Sequence, residues 1–354
     1  MYKADHLSLA AEVARLYYLE QKTQSEISKI IERSRSTVVR LLKLAWDENL
    51  VDIHISDTAN PDARAGQLAA KLCDMFPSLN RDYAKILYTH SIGAILSEKL
   101  GKLGAEVLEE IILQVYEERA KNPDVSHRIR LGVGLGTQLR SVVDFSYPKQ
   151  ICEDLMVIPL MGGFGKGGEM QRNSSSELSR RIAKHYRGTW EQLPCPAKVS
   201  SPKVKRILMN EEAISHVMRE GKNCDIYLIG MGGVRSDPSV KFVPEAAGLV
   251  TEDLLTQMVR TKGVVGTMFG QMYTIDGEEC PYPEENGALM SITLDDLRKS
   301  AGNGSYILVV SGGRTRHRAV LGALRTGIIN CIVTDQRCAE WVIEQEETKQ
   351  DNSN

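Results

Sequence analysis

Four short segments follow apolar runs and combine glycine with hydroxyl, amide or basic side chains: GVGLGTQ (132–138), GGFGKGG (162–168), GMGG (230–233) and SGGRTR (311–316). The chemistry they suit is the binding of an anion, above all a phosphate. Glycine lets backbone amides approach a ligand, a helix opening behind the loop adds its positive end, and arginine adds charge-assisted hydrogen bonds. The candidate ligand-binding residues are Gly134, Gly136, Thr137, Gln138, Gly162, Gly163, Gly230, Gly232, Gly312, Gly313, Arg314 and Arg316, with Lys166 as a further cation. A second group lies near the N-terminus, where Arg33, Arg35, Arg40 and Lys43 fall in one stretch without an acidic residue. Because the net charge of the chain is -2, attraction to nucleic acid has to come from a local patch of this kind.

Other chemistries find less support. The seven histidines are dispersed singly, and the seven cysteines contain no Cys-x-x-Cys pair, so no metal site is expected and the thiols are expected to be buried and free. Glu177, Asp276, Glu245 and His317 are the candidate general bases of a sugar-phosphate enzyme, but none stands in a spacing that signals catalysis. The run GVGLG resembles part of a dinucleotide fingerprint. The acidic residue that should end the next strand is missing, since Glu153 and Asp154 precede the strand LMVIPL. No catalytic residue, metal or cofactor is therefore expected.

The elements that must position these residues are legible from periodicity. Near the N-terminus, residues 7–19 read as an amphipathic helix. A second helix starts at Thr23, where Thr23 and Glu26 form a capping box ahead of Ile27, Ile30 and Ile31. Ser34 caps a third, which buries Val38, Leu41, Leu42 and Ala45 and presents Arg35, Ser36, Thr37, Arg40 and Lys43. This is the pattern of a helix-turn-helix whose last helix reads DNA with its first turn, and the alternating LVDIHI after it suits a small wing. The candidate DNA-binding residues are Thr23, Gln24, Ser34, Arg35, Ser36, Thr37, Arg40 and Lys43.

SDTANP (56–61) is a polar break with a proline, as expected of a domain boundary, and a helix follows over about 62–76. Beyond it, apolar runs at 129–134, 155–160, 225–230, 306–311 and 329–334 alternate with amphipathic stretches, the pattern of βα units around a largely parallel sheet. Residues from Ile95 to Val115 repeat at helical spacing as one long helix. With no apolar run long enough to span a membrane and no signal-peptide core at the start, a cytoplasmic location is expected. The expected domains are 1–56 for DNA binding, 57–345 for ligand binding and oligomerisation, and a disordered tail over 346–354.

The run TQSEISKIIERSRSTVVRLLKLAWDENLVDIHI resembles the DNA-binding domain of the SorC family of sugar-binding bacterial transcriptional regulators. The resemblance continues to about residue 344 through VIPLMGG, SSSELSRRIA, PAKVSSP, DIYLIGMGG, GTMFGQMYTIDG and ILVVSGGRTRHRAVLGALRTGIINCIVTD. It implies a winged helix-turn-helix followed by a Rossmann-like α/β domain resembling sugar-phosphate isomerases and deaminases. It further implies a sugar, polyol or sugar-phosphate effector, double-stranded operator DNA as partner, and assembly as a dimer or tetramer. The resemblance adds Glu177, Thr267 and Gln271 to the candidate effector-binding residues. It also exposes departures: Glu32 and Asn49 replace glycines, Ser176 an asparagine, Thr267 an aspartate, Gln271 an arginine and Arg316 a lysine, and Gln138 stands where threonine is common. The alternative function is a sugar-phosphate isomerase or deaminase with an accessory DNA-binding domain.

Overall fold

The computed structural model describes residues 2–48, 50–51, 61–121, 126–164, 167–234 and 249–351. The chain divides into two compact units, Met1–Asn60 and Pro61–Asn354.

The first unit holds three helices, α1 (Tyr2–Tyr18), α2 (Gln24–Ile30) and α3 (Arg35–Asp47). The capping box forms as the sequence requires: the Thr23 hydroxyl accepts the Glu26 N–H at 3.3 Å, and the Glu26 carboxylate accepts the Thr23 N–H at 2.8 Å. Ser34 likewise accepts the Thr37 N–H at 3.2 Å and starts α3. The turn between them places Glu32 at φ +51°, in the left-handed region that glycine adopts freely. Val13, Ile27, Val38, Leu41 and Ala45 form the core of this unit, and the Trp46 indole N–H donates to the Tyr18 hydroxyl at 2.7 Å. Most of the expected wing strand, and the polar break up to residue 60, lie outside the described residues.

The second unit begins with α4 (Pro61–Met75), β1 (Ala84–Leu87), α5 (Gly93–Ala120), β2 (Ile129–Val133), α6 (Thr137–Phe145), β3 (Leu155–Pro159), α7 (Glu169–Arg172), α8 (Ser175–Tyr186), β4 (Thr189–Trp190) and β5 (Lys198–Val199). It continues with α9 (Pro202–Leu208), α10 (Glu212–Lys222), β6 (Ile226–Ile229), β7 (Gly232–Gly233), α11 (Glu252–Lys262), β8 (Val264–Met268), β9 (Gln271–Thr274), β10 (Glu279–Cys280) and β11 (Ala288–Leu289). The last elements are α12 (Leu294–Gly302), β12 (Tyr306–Val310), α13 (His317–Arg325), β13 (Cys331–Asp335) and α14 (Gln336–Asp351).

Seven strands form one sheet in the order β1-β13-β12-β6-β2-β3-β4, and every pairing in it is parallel. Parallel strands need helical crossovers, so both faces are covered and the strands read as continuous apolar runs. Leu131, Val133, Leu155, Val157, Ile226 and Leu228 face a core shared with α5, α6 and α8, whereas Met156, Ile158, Tyr227 and Ile229 face the other. Along α5 the stripe from Leu96 to Val115 is largely buried, so the long helix covers the sheet.

Two features depart from the sequence reading. A separate antiparallel sheet, β10-β9-β8-β7, is built on the GTMFGQMYTIDG segment. There Met268 pairs with Gln271 across a two-residue turn, with Phe269 and Gly270 both at positive φ as such a hairpin requires. The second departure is at the C-terminus, where residues 346–351, expected to be a disordered tail, continue α14. Polar composition misled because these side chains have partners: Glu346 accepts from Arg325 at 2.7 Å, Glu347 pairs with Lys71 at 2.5 Å, and Lys349 pairs with Asp276 at 3.2 Å. All seven cysteines are buried and unpaired.

Candidate ligand-binding site

The four glycine loops follow β2, β3, β6 and β12, and in sheet order these strands are neighbours, β12-β6-β2-β3. Since all run parallel, their carboxyl ends share one edge of the sheet, the position at which ligands collect in α/β folds. Three of the loops and the β8–β9 turn close on a recess lined by Leu135, Gly136, Thr137, Gln138, Gly230, Met231, Gly232, Leu249, Thr267, Phe269, Gly270 and Arg316. Close packing explains why glycine recurs here. A Cβ on Gly230 would lie 2.3 Å from the Leu135 carbonyl oxygen, and one on Gly312 would lie 2.4 Å from the Asp335 carboxylate. That carboxylate accepts the Gly313 N–H at 2.6 Å and the Cys338 N–H at 3.3 Å, fixing the SGGRTR loop to the start of α14.

Polar groups in the recess are few and specific. Gly136 begins α6 without a side-chain cap, so the first-turn amides of that helix remain available to an anion. Thr267 is buried and Thr137 is exposed. The Gln138 side chain is already committed, accepting the Ser97 O–H and donating to the Ser97 carbonyl, both at 2.9 Å. Arg316 is partly buried, and its guanidinium donates to the Gly312 carbonyl at 3.4 Å. Among the described residues no carboxylate lies within ion-pairing distance of it, and burial pushes its pKa below the ordinary arginine value. A guanidinium held this way has the chemistry to pair with an anion.

Beyond Gln138 and Arg316 lies a second, larger space of about 940 Å³, bounded by the start of α5, the SGGRTR loop and one face of α14. Gly312, Gly313 and Arg314 line this outer chamber and not the recess. So do residues that the sequence reading passed over, including Ser91, Gly93, Arg318, Arg337 and Trp341. Nothing in their local spacing marks them, because α5 and α14 meet here only through the fold. The same holds for Phe269 in the recess, whose positive φ belongs to the hairpin turn.

Other candidates lie elsewhere. Glu177 lines neither space; Arg180 grips its carboxylate at 2.7 and 2.9 Å and holds its pKa below the usual range. Gly162 packs on Pro196, where a Cβ would meet a carbonyl oxygen at 2.5 Å, and Gly163 forms a bridge with Pro196. Gly134 sits beneath the recess, its N–H donating to the Leu228 carbonyl, and the Gln271 amide donates to the Ser291 hydroxyl at 3.3 Å. Lys166 and Glu245 lie outside the described residues, and Asp276 pairs with Arg325 and Lys349.

In the first unit the basic candidates Arg35, Arg40 and Lys43 are exposed, as are Ser34 and Ser36, while Thr37 is half-buried. The Ser36 and Thr37 hydroxyls turn back to the Ser34 hydroxyl, at 2.8 and 2.9 Å, instead of pointing outward, and Arg35 reaches Gln24 at 3.4 Å, tying α3 to α2. Among the described residues no cluster suited to a metal is present, and no helix is long and apolar enough to cross a membrane.

The fold and the recess together define a parallel α/β ligand-binding domain with its site at the strand ends, preceded by a small helical unit. Residues 79–344 match the family model described as "Putative sugar-binding domain", and the chain belongs to that family. Similar curated proteins include the deoxyribonucleoside regulator of Bacillus subtilis (strain 168), 26% identical over 340 residues that cover 95% of this chain and 97% of the relative. Another is the erythritol catabolism regulatory protein EryD of Brucella abortus (strain 2308), 22% identical, covering 96% and 97%. The full-length sorbitol operon regulator SorC from Klebsiella pneumoniae shares the fold, with a TM-score of 0.63 at 21% identity, covering 96% of this chain and 99% of that one.

Proposed function

We propose that the protein is a DNA-binding transcriptional regulator whose operator binding is controlled by a sugar, polyol or sugar-phosphate effector. The observation that carries the sensing role is the partly buried Arg316 guanidinium, which has no carboxylate partner among the described residues and stands where adjacent glycine loops converge. The uncapped start of α6 offers amides to the same anion, and Thr137 and Thr267 offer hydroxyls to the sugar. The likeness to regulators named for deoxyribonucleosides, sorbitol and erythritol supports this ligand class.

DNA binding falls to residues 1–56, read as a helix-turn-helix with a wing. Residues 57–345 form a Rossmann-like effector domain related to sugar-phosphate isomerases and deaminases, and they also carry the contacts of a dimer or tetramer that docks on a pseudo-palindromic operator. The protein works in the cytoplasm, with no cofactor and no catalytic step. Supporting the non-catalytic reading, Glu177 is bound to Arg180 away from the recess and Asp276 is held by Arg325 and Lys349.

The recess encloses about 30 Å³, room for one or two waters, whereas a ligand of this class needs a pocket of several hundred. Effector entry therefore has to displace part of the lining, of which the β8–β9 turn and the Arg316 side chain are members. A ligand that favours the displaced state shifts the equilibrium between two arrangements of the effector domain, and that difference reaches the DNA-binding unit. Thermal unfolding of the full chain against sugars, polyols and their phosphates tests the reading. A stabilising compound that is recovered unchanged and alters retention of selected DNA supports it; one that is consumed supports the isomerase or deaminase reading.

A further inference from the structure

The outer chamber is not used by the effector site just described, and Gln138 and Arg316 border both spaces. Gln138 is held to α5 by both of its hydrogen bonds to Ser97. In the outer chamber, Arg314, Arg318 and Arg337 join Arg316 around one space, and among the described residues none of the four makes an ion pair. The start of α5, where Ile92 supplies no side-chain cap, adds the unpaired amides of a 28-residue helix to the same chamber. The rest of the lining is different in kind. Ile92, Leu96, Leu100 and the Trp341 ring are apolar, and Glu340 and Glu344 stand beside them as acceptors. The third acid, Asp335, is spent on the Gly313 and Cys338 amides.

A bare polyanion would meet repulsion from the two free glutamates, and a monosaccharide phosphate would leave the apolar side chains wet. A ligand that carries both phosphates and a flat, donor-bearing ring system satisfies all three kinds of group. We propose that the outer chamber is a second site, distinct from the effector recess, for a nucleoside phosphate. Its phosphates pair with Arg314, Arg318 and Arg337 over the start of α5, and its base lies on Trp341 with its N–H donors toward Glu340 and Glu344. Arg316 borders both sites, so an anion in one competes for the guanidinium that serves the other. By linkage the effector and the nucleotide weaken each other by the same factor.

The test uses the full chain with ATP and pyrophosphate as probes and glucose 6-phosphate as a comparison, read by calorimetry and tryptophan fluorescence. ATP is expected to bind saturably and to change a fluorescence signal that Trp341→Phe removes. Arg337→Ala and Arg318→Ala, each checked for an unaltered ligand-free melting temperature, are expected to weaken ATP about tenfold or more. Pyrophosphate is expected to bind more weakly and without the tryptophan signal. The proposal is overturned if ATP does not saturate, if neither arginine variant weakens it, or if pyrophosphate binds as tightly as ATP. Simple one-for-one displacement of ATP by glucose 6-phosphate, lost together with ATP binding in Arg337→Ala, would make the two chambers a single site and also overturn it.

Discussion

Replacing Arg316 by methionine separates a sensing arginine from a structural one. Its side chain has one long hydrogen bond, 3.4 Å to the Gly312 carbonyl, and no ion pair among the described residues, so the fold gains little from it. Loss of that bond costs at most about 1 kcal/mol, while removal of an unpaired, partly desolvated charge returns a comparable amount. Arg316→Met is therefore expected to leave the ligand-free protein within about 1 kcal/mol of the parent, or slightly more stable. The bound state behaves differently, because a charge-assisted hydrogen bond to a phosphate contributes about 1.5–3 kcal/mol, or roughly 10- to 150-fold in affinity. At an effector concentration about 100 times the parent dissociation constant, ligand stabilises the parent by about 2.7 kcal/mol but a 100-fold weaker variant by only about 0.4 kcal/mol. Thermal unfolding with and without a stabilising sugar phosphate reads both quantities in one experiment. A ligand-free loss well above 1 kcal/mol, or a ligand shift that survives the substitution, would refute the assignment of Arg316 as the anion receptor.

Gly230→Ala is expected to destabilise the second unit by about 1–3 kcal/mol and to abolish the effector response, since its Cβ would meet the Leu135 carbonyl at 2.3 Å; denaturant unfolding and the ligand shift check the two halves. Glu32→Gly should stabilise the first unit by about 1 kcal/mol, because the residue stands at φ +51°, and a lowered melting temperature would count against that account. Arg40→Ala is expected to cost about 1–3 kcal/mol of operator binding if the side chain reads a base, or to reduce the salt slope if it holds a phosphate, both measured by anisotropy on selected DNA. Burial pushes the His317 pKa below its ordinary 6.5, with Asp335 opposing and Arg314 reinforcing the shift. The unfolded chain then binds the proton first, so this contribution to stability is complete above pH 6.5 and is lost as the pH falls through and below it. His317→Phe should flatten that slope in unfolding midpoints; the slope left behind includes His185, whose pKa is lowered for the same reason.

Much of the framework was legible because its signals are local. The Thr23 and Ser34 caps depend on residues three positions apart, and both form. The strands at 129–133, 155–159 and 306–310 were legible because a parallel sheet buries both faces and leaves an apolar run. Side-chain commitments were not legible. Glu177 is exhausted by Arg180 one helical turn away and Gln138 by Ser97 across 41 positions, so neither is as free for a ligand as its residue type suggests.

Local sequence dictates the three N-terminal helices, the central strands and the glycine loops, and which side chains carry charge into those loops, because capping, periodicity and glycine's backbone freedom act over a few residues. Tertiary structure decided which loops are neighbours. The order β12-β6-β2-β3 joins segments up to about 180 residues apart, and it places Arg316 against the start of α6. It likewise brings α5 to α14, where Thr89 donates its N–H to Gln336 247 positions away and an outer chamber opens between the two helices. It also turned a polar C-terminal segment into helix by supplying Arg325 and Lys71 as partners. Such pairings are set by which surfaces must be buried together, and no local window of sequence contains both members.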